Sequence, residues 1–110
     1  MTEHQWVKEF PGTIEVCDSN GILLEMNDRA GERDGWGLLG TNILDCHPEP
    51  ARTRLKQMLE SGQANIYTIE KRGKKKLIYQ APWYADGKYA GFVELALEIP
   101  ETLPHFVRQG

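Results

Sequence analysis

The strongest constraint on this chain lies in residues 64–99, ANIYTIEKRGKKKLIYQAPWYADGKYAGFVELALEI. Three runs rich in Ile, Leu, Val and aromatic residues are divided there by Arg72-Gly73 and Asp86-Gly87. A polar residue followed by Gly between alternating apolar residues suits a tight turn joining antiparallel strands. The segment therefore predicts a three-strand meander. In its last run Gly91, Val93, Leu95 and Leu97 alternate with Phe92, Glu94, Ala96 and Glu98, so one face is expected to be buried and the other at least partly wet.

Upstream, TIEVCDSNGILLEM gives two more short strands around Asp18, Ser19, Asn20 and Gly21, a hairpin signal. Asn27 follows as a good N-cap for a short helix through DRAGERD, which Gly31 and Gly35 weaken. Residues 27–47 thus read as short helical turns and loops. From Pro48 the period changes: Ala51, Leu55, Met58 and Leu59 recur at helical spacing, with Arg52, Arg54, Lys56 and Glu60 on the other side. Pro48 suits the first helical position, with Asp45 or His47 as its cap, and Gly62 suits the C-terminal stop. Residues 3–10 form a short amphipathic helix with Trp6, Val7 and Phe10 on one face, ended by Pro11 and Gly12. The tail from Pro100 should leave the sheet.

The resulting fold class is α+β, one five-stranded antiparallel sheet with helices on one face plus a short N-terminal helix. The first hairpin must then lie beside the last strand. With 110 residues, 40% of them apolar and 26% charged, the chain is the size of one domain. We divide it into an N-terminal helix over 1–11, a core over 12–99 and a tail over 100–110. No apolar run is long enough to cross a bilayer and no export signal precedes the first strand, so a cytoplasmic location is expected. Cys17 and Cys46 are read as reduced thiols, because one possible bridge is not a disulfide framework. A net charge of -3 argues against nucleic acid as a partner. The basic run KRGKKK reads as a solvated hairpin tip whose lysines discourage edge-to-edge pairing.

Asp45, Cys46 and His47 stand side by side before Pro48 and carry the ingredients of a catalytic site. Neighbours in an extended segment point in opposite directions, however, whereas a thiolate and its base must meet within hydrogen-bond reach. No enzyme is expected. His4, Cys17, Cys46, His47 and His105 show no paired metal-ligand spacing, and no phosphate-binding glycine motif occurs. Cys46 near a helix start remains a candidate redox-responsive thiol.

A pocket between the curved sheet and the helices is the expected binding site. With the Tyr79 face pointing inward, Tyr79 meets Met58, Leu55, Ile43 and Leu44 across the cavity. Val93 and Leu95 join it from the last strand, with Cys46 and His47 at the rim. The competing reading is that these side chains simply fill the core and leave a ligand-free interaction module. Trp6, Val7 and Phe10 are the expected dimer seam, because exposed aromatic stripes seek cover.

Three pieces of the chain, in this order, carry a resemblance: IEVCDSNGILLEMN, LLGTNILDCHPEPARTRL and YADGKYAGFVELALEI. Together they are similar to the opening strand pair, the loop into the long helix and the final hairpin of PAS domains, the small sensory modules of bacterial signalling proteins. The likeness covers roughly residues 12–99. It implies small-molecule or redox sensing with output through a homodimer or a signalling partner, and no catalysis by the domain itself. It disfavours a flavin photoadduct, because GTNILDCH places Ile43 where the reactive cysteine would stand. Haem stays open: the long helix has no His, but His47 directly precedes it.

Overall fold

The computed structural model describes residues 4–110; residues 1–3, where the expected N-terminal helix begins, lie outside them. In chain order the elements are α1 (Gln5–Lys8), β1 (Thr13–Asp18), β2 (Leu23–Met26), α2 (Asp28–Asp34), 3₁₀ turns at Trp36–Leu38 and Ile43–Cys46, α3 (Ala51–Ser61), β3 (Asn65–Lys71), β4 (Lys74–Ala85) and β5 (Lys88–Ile99). The five strands form one antiparallel sheet of order β2-β1-β5-β4-β3. The first hairpin does lie beside the last strand.

The turns follow from local chemistry. Arg72 and Gly73 have φ of 55° and 73°, and Asp86 and Gly87 have 51° and 77°. Two successive left-handed residues match the twist of the strands they join. Asp18 closes the first hairpin differently, its Oδ1 accepting from the backbone N–H of Asn20 and Ile22, both at 2.9 Å. Asn27 caps α2 as expected, accepting from Ala30 N at 3.2 Å. It is also buried and does more: Oδ1 accepts from Ile14 N, and Nδ2 donates to the carbonyls of Gly12, Phe10 and Val7. One side chain thus ties α1, the start of β1 and the start of α2 together.

The start of α3 departs from expectation. Its first residue is Ala51, the N-cap position is Pro50, and neither Asp45 nor His47 caps it. Asp45 belongs to a 3₁₀ turn that Asn42 caps by accepting from Leu44 N at 2.9 Å. Glu49 serves α3 instead, accepting from the N–H and hydroxyl of Thr53 at 2.8 Å each. A carboxylate near a helix N-terminus satisfies a free donor and meets the positive end of the dipole. At the other end Gly62 adopts the left-handed conformation and donates to Met58 O at 2.9 Å.

Register decides which sheet face meets the helices. Cys17 pairs with Phe92, and both join Leu59 of α3 in the buried core, against which Ile43, Leu44, Leu55, Met58 and Tyr89 pack. Since strand side chains alternate, the helix-facing set contains Thr13, Glu15 and Cys17 of β1, Phe92, Glu94 and Ala96 of β5, and Ile78 and Gln80 of β4. Ile14, Val16, Leu77, Tyr79, Val93, Leu95 and Leu97 occupy the opposite face. This corrects the expectation that Tyr79, Val93 and Leu95 line the pocket. Alternation fixes which residues share a face but not the side on which the helices lie, and here the more uniformly apolar face is the one they leave open.

Candidate ligand-binding cleft

A cleft of about 740 Å³ lies between α3 and the helix-facing side of β3 and β4. Ala51, Arg54, Leu55 and Met58 line it from the helix, because the three- and four-residue spacing puts them on one stripe. Asn65, Tyr67 and Gln80 line it from the sheet and His47 from the preceding loop. Of the residues expected at the pocket, Leu55, Met58 and His47 stand there. Ile43 and Leu44 pack against the adjoining core cluster. Cys46 is exposed, its thiol donating to Ile43 O at 3.3 Å, with its sulfur 3.6 Å from His47 Nδ1. His47 Nδ1 also bonds the Ile43 carbonyl, which can only accept, so Nδ1 carries the proton of that bond. Thiol and imidazole therefore both serve one backbone carbonyl, and among the described residues no third group orients the ring toward the sulfur.

Asn65 and Gln80 in the floor belong to a polar row that continues across the sheet at one level. Asn65 pairs with Gln80, Gln80 with Glu94, and Glu94 with Glu15, on β3, β4, β5 and β1. Asn65 Nδ2 donates to Gln80 Oε1 at 3.1 Å, and Gln80 Nε2 donates to Glu94 Oε1 at 3.2 Å. At the far end Arg33 of α2 grips Asp34 twice, at 2.8 and 2.7 Å, and reaches Glu15 once, at 2.8 Å. One cation thus faces two carboxylates. Asp34, which holds the two-pronged contact, is lowered to about 2 by the Arg33 hydrogen bond first, burial opposing. Glu15 is raised to about 8, chiefly by burial, then by hydrogen bonding and charge from Asp34 and the charge of Glu94, against the pull of Arg33. Burial, reinforced by Glu94, also pushes the Tyr67 phenol up and keeps it a neutral hydroxyl.

Asn65, Tyr67 and Gln80 were missed from sequence because polar residues in an alternating strand read as its solvent side. Their signal was the registration of Gln80 with Glu94, which only a paired sheet makes visible. A fourth missed residue, Tyr89, donates from its hydroxyl to Leu59 O at 2.8 Å and meets Phe92 edge-on at 6.0 Å. It links the end of α3 to β5. Among the described residues no group of three His, Cys, Asp or Glu could hold a metal ion, and no helix is long and apolar enough to cross a membrane.

The opposite face carries a more apolar groove of about 830 Å³. Trp6 and Val7 of α1 line it together with Ile14, Val16, Met26 and Trp36. Of the residues expected at a dimer seam, Trp6 is 68% exposed and Phe10 is exposed, while Val7 is half-buried.

No protein-family model matches the sequence, and no curated protein is significantly similar to it. Solved structures do match in shape. A C-terminal domain from Streptococcus mutans superposes with a TM-score of 0.69 at 20% identity, over 84% of this chain and 78% of the other. A sensory box sensor histidine kinase from Vibrio cholerae gives 0.65 at 13% identity, over 88% and 87%. The PAS domain of an HTR-like protein from Haloarcula marismortui gives 0.60 at 17% identity, over 86% of both chains. With the strand order and the helical excursion between the two hairpins already described, this agreement over most of each chain shows that the protein has the PAS fold.

Proposed function

We propose that this chain is a sensory module of bacterial signal transduction that binds a small molecule in the cleft beneath α3 and passes its state to a partner through the open sheet face. The observation that carries the reading is the cleft itself: Ala51, Leu55 and Met58, with Arg54, Gln57 and Ser61 beside them on the helix, face the hydrogen-bonded amides of Asn65 and Gln80 inside a PAS fold. Such a combination holds a ligand by area and orients it by a few polar groups. A sensor kinase and an HTR-like protein among the structural neighbours agree with a signalling role. Tyr89 supplies the route, since its hydroxyl is bonded to the last turn of α3 and its ring to the core of β5. A ligand that lifts α3 pulls on the strand whose other side forms the open face.

Native mass spectrometry of freshly purified protein, paired with thermal shift across a metabolite library, tests the reading. A co-purified mass or a ligand-dependent rise in Tm is expected, and Ala51→Trp, which fills the cleft from its rim, should abolish it while leaving the protein folded. A clean apo mass with no shift across the library would leave the ligand-free interaction module in its place. An absorption spectrum of the same sample decides the haem version, because bound haem gives a Soret band.

A further inference from the structure

We infer that the cleft selects a small neutral amide with an apolar tail, a carboxamide or urea, over an anion of the same size; the inference rests on the ligand-binding reading above. The argument starts at Glu94. Its carboxylate can only accept, so Gln80 must turn its NH₂ toward Glu94, as the 3.2 Å Nε2 to Oε1 bond records. Gln80 Oε1 therefore faces β3, and Asn65 must turn its own NH₂ toward it, which is the 3.1 Å bond. Each amide is fixed by the one before it, and the polarity of the row propagates from the sheet centre to the cleft. The last group, Asn65 Oδ1, is left as an acceptor with no protein partner among the described residues.

Tyr67 stands two residues along β3 on the same face, about 7 Å from Asn65 by strand geometry. Its hydroxyl also has no partner among the described residues and can donate. An acceptor beside a donor complements a group that carries N–H and C=O together. A carboxylate would set a lone pair against Asn65 Oδ1 with Glu94 behind it, and the attraction of Arg54, an exposed and solvent-screened cation, offsets that only in part. A permanent cation meets Arg54, which lines the same cleft. Leu55, Met58 and Ala51 form the apolar wall opposite and take the tail.

The test titrates ¹⁵N-labelled protein at pH 7 with hexanamide, hexanoate and hexylamine. Hexanamide is expected to shift the Asn65, Tyr67 and Gln80 resonances saturably and to bind about five- to tenfold more tightly than hexanoate, the ratio one well-made hydrogen bond supplies. Asn65→Ala, at an exposed position, should remove most of that ratio, with circular dichroism of the variant checking that it is folded. Equal or tighter binding of hexanoate or hexylamine at the same resonances overturns the amide selectivity and leaves the cleft as a ligand site. If none of the three shifts these resonances, the amide selectivity falls, and the ligand-binding reading is decided separately by the native mass and thermal-shift test above.

Discussion

Asn27 is asked to accept and donate at once. Its Oδ1 takes the N–H groups of Ile14 and Ala30 while its Nδ2 serves three carbonyls, those of Gly12, Val7 and Phe10. Aspartate caps helices as well as asparagine does, but it has no N–H to give, and the carbonyls would meet a second acceptor in a buried place. Asn27→Asp should therefore cost about 2 kcal/mol or more despite keeping the cap, a loss comparable to Asn27→Ala. Urea unfolding of the two variants checks this; an Asp variant as stable as wild type would show that the donor half of the amide does not matter. Gly91 makes the complementary case, where a side chain must be missing. At φ 148° a Cβ there would lie 2.0 Å from the Cys17 carbonyl oxygen. Across the gap so left, the indole of Trp83, which pairs with Gly91 on β4, donates to that same carbonyl on β1 at 2.9 Å. Gly91→Ala should lower stability by about 2–3 kcal/mol, and Trp83→Phe by about 1 kcal/mol through the lost bond. The unfolding midpoint of each reads the difference.

Among the elements, the polar row joins four strands and one helix, and it makes stability depend on pH in two windows. Glu15 holds its proton more tightly folded than unfolded, its ordinary value of 4.5 being raised to about 8 by burial and by Asp34 and Glu94. Its contribution is complete below about pH 4.5 and is lost as pH rises through 8. Asp34 works in the other sense: lowered from 3.8 to about 2 by Arg33, its contribution is present above 3.8 and is lost as pH falls through 2. Between pH 5 and 8 wild type should therefore lose stability relative to Glu15→Gln, which keeps the neutral shape and does not titrate. Parallel curves for the two proteins over that interval would refute the raised value. The same row shows where sequence reading stopped. Both X-Gly turns, the Asn27 cap and the α3 stripe were legible because each is decided within a few residues. The side of the sheet on which α3 lies was not, since it depends on Leu59 meeting Cys17 and Phe92, contacts between segments far apart in the chain. Without that one fact the strand pattern puts Val93, Leu95 and Tyr79 in the cleft and leaves Asn65, Tyr67 and Gln80 out of it. The cap of α3 failed more locally: Glu49, one residue before Pro50, reaches forward to Thr53 and does the work expected of Asp45 or His47.

At the scale of the whole molecule the sheet has two unlike faces. The helix side is mixed, with Glu15, Gln80 and Glu94 set among Cys17, Phe92 and Ala96. The other side carries Ile14, Val16, Leu77, Val93, Leu95 and Leu97, with Tyr79 40% exposed, and α1 brings Trp6 beside it. A contiguous apolar face on this scale gains free energy by being covered, at roughly 25 cal/mol for each Å² removed from water. On the proposal that a second copy covers it, a charge placed in its middle is worse than a charge at its edge, because the central position is desolvated completely on association. Leu95 lies centrally, on the strand between β1 and β4, whereas Trp6 belongs to the peripheral helix. Sedimentation at matched concentrations should therefore find wild type dimeric, Leu95→Arg monomeric and Trp6→Glu intermediate. The half-buried side chain of Leu95 leaves room for an arginine stem to lie along the sheet in the monomer, so loss of association need not follow from loss of fold, and circular dichroism of the same samples separates the two. A wild type that sediments as a monomer at every concentration would remove the second copy as the occupant of this face. A Leu95→Arg protein that is folded and still dimeric would move the seam elsewhere.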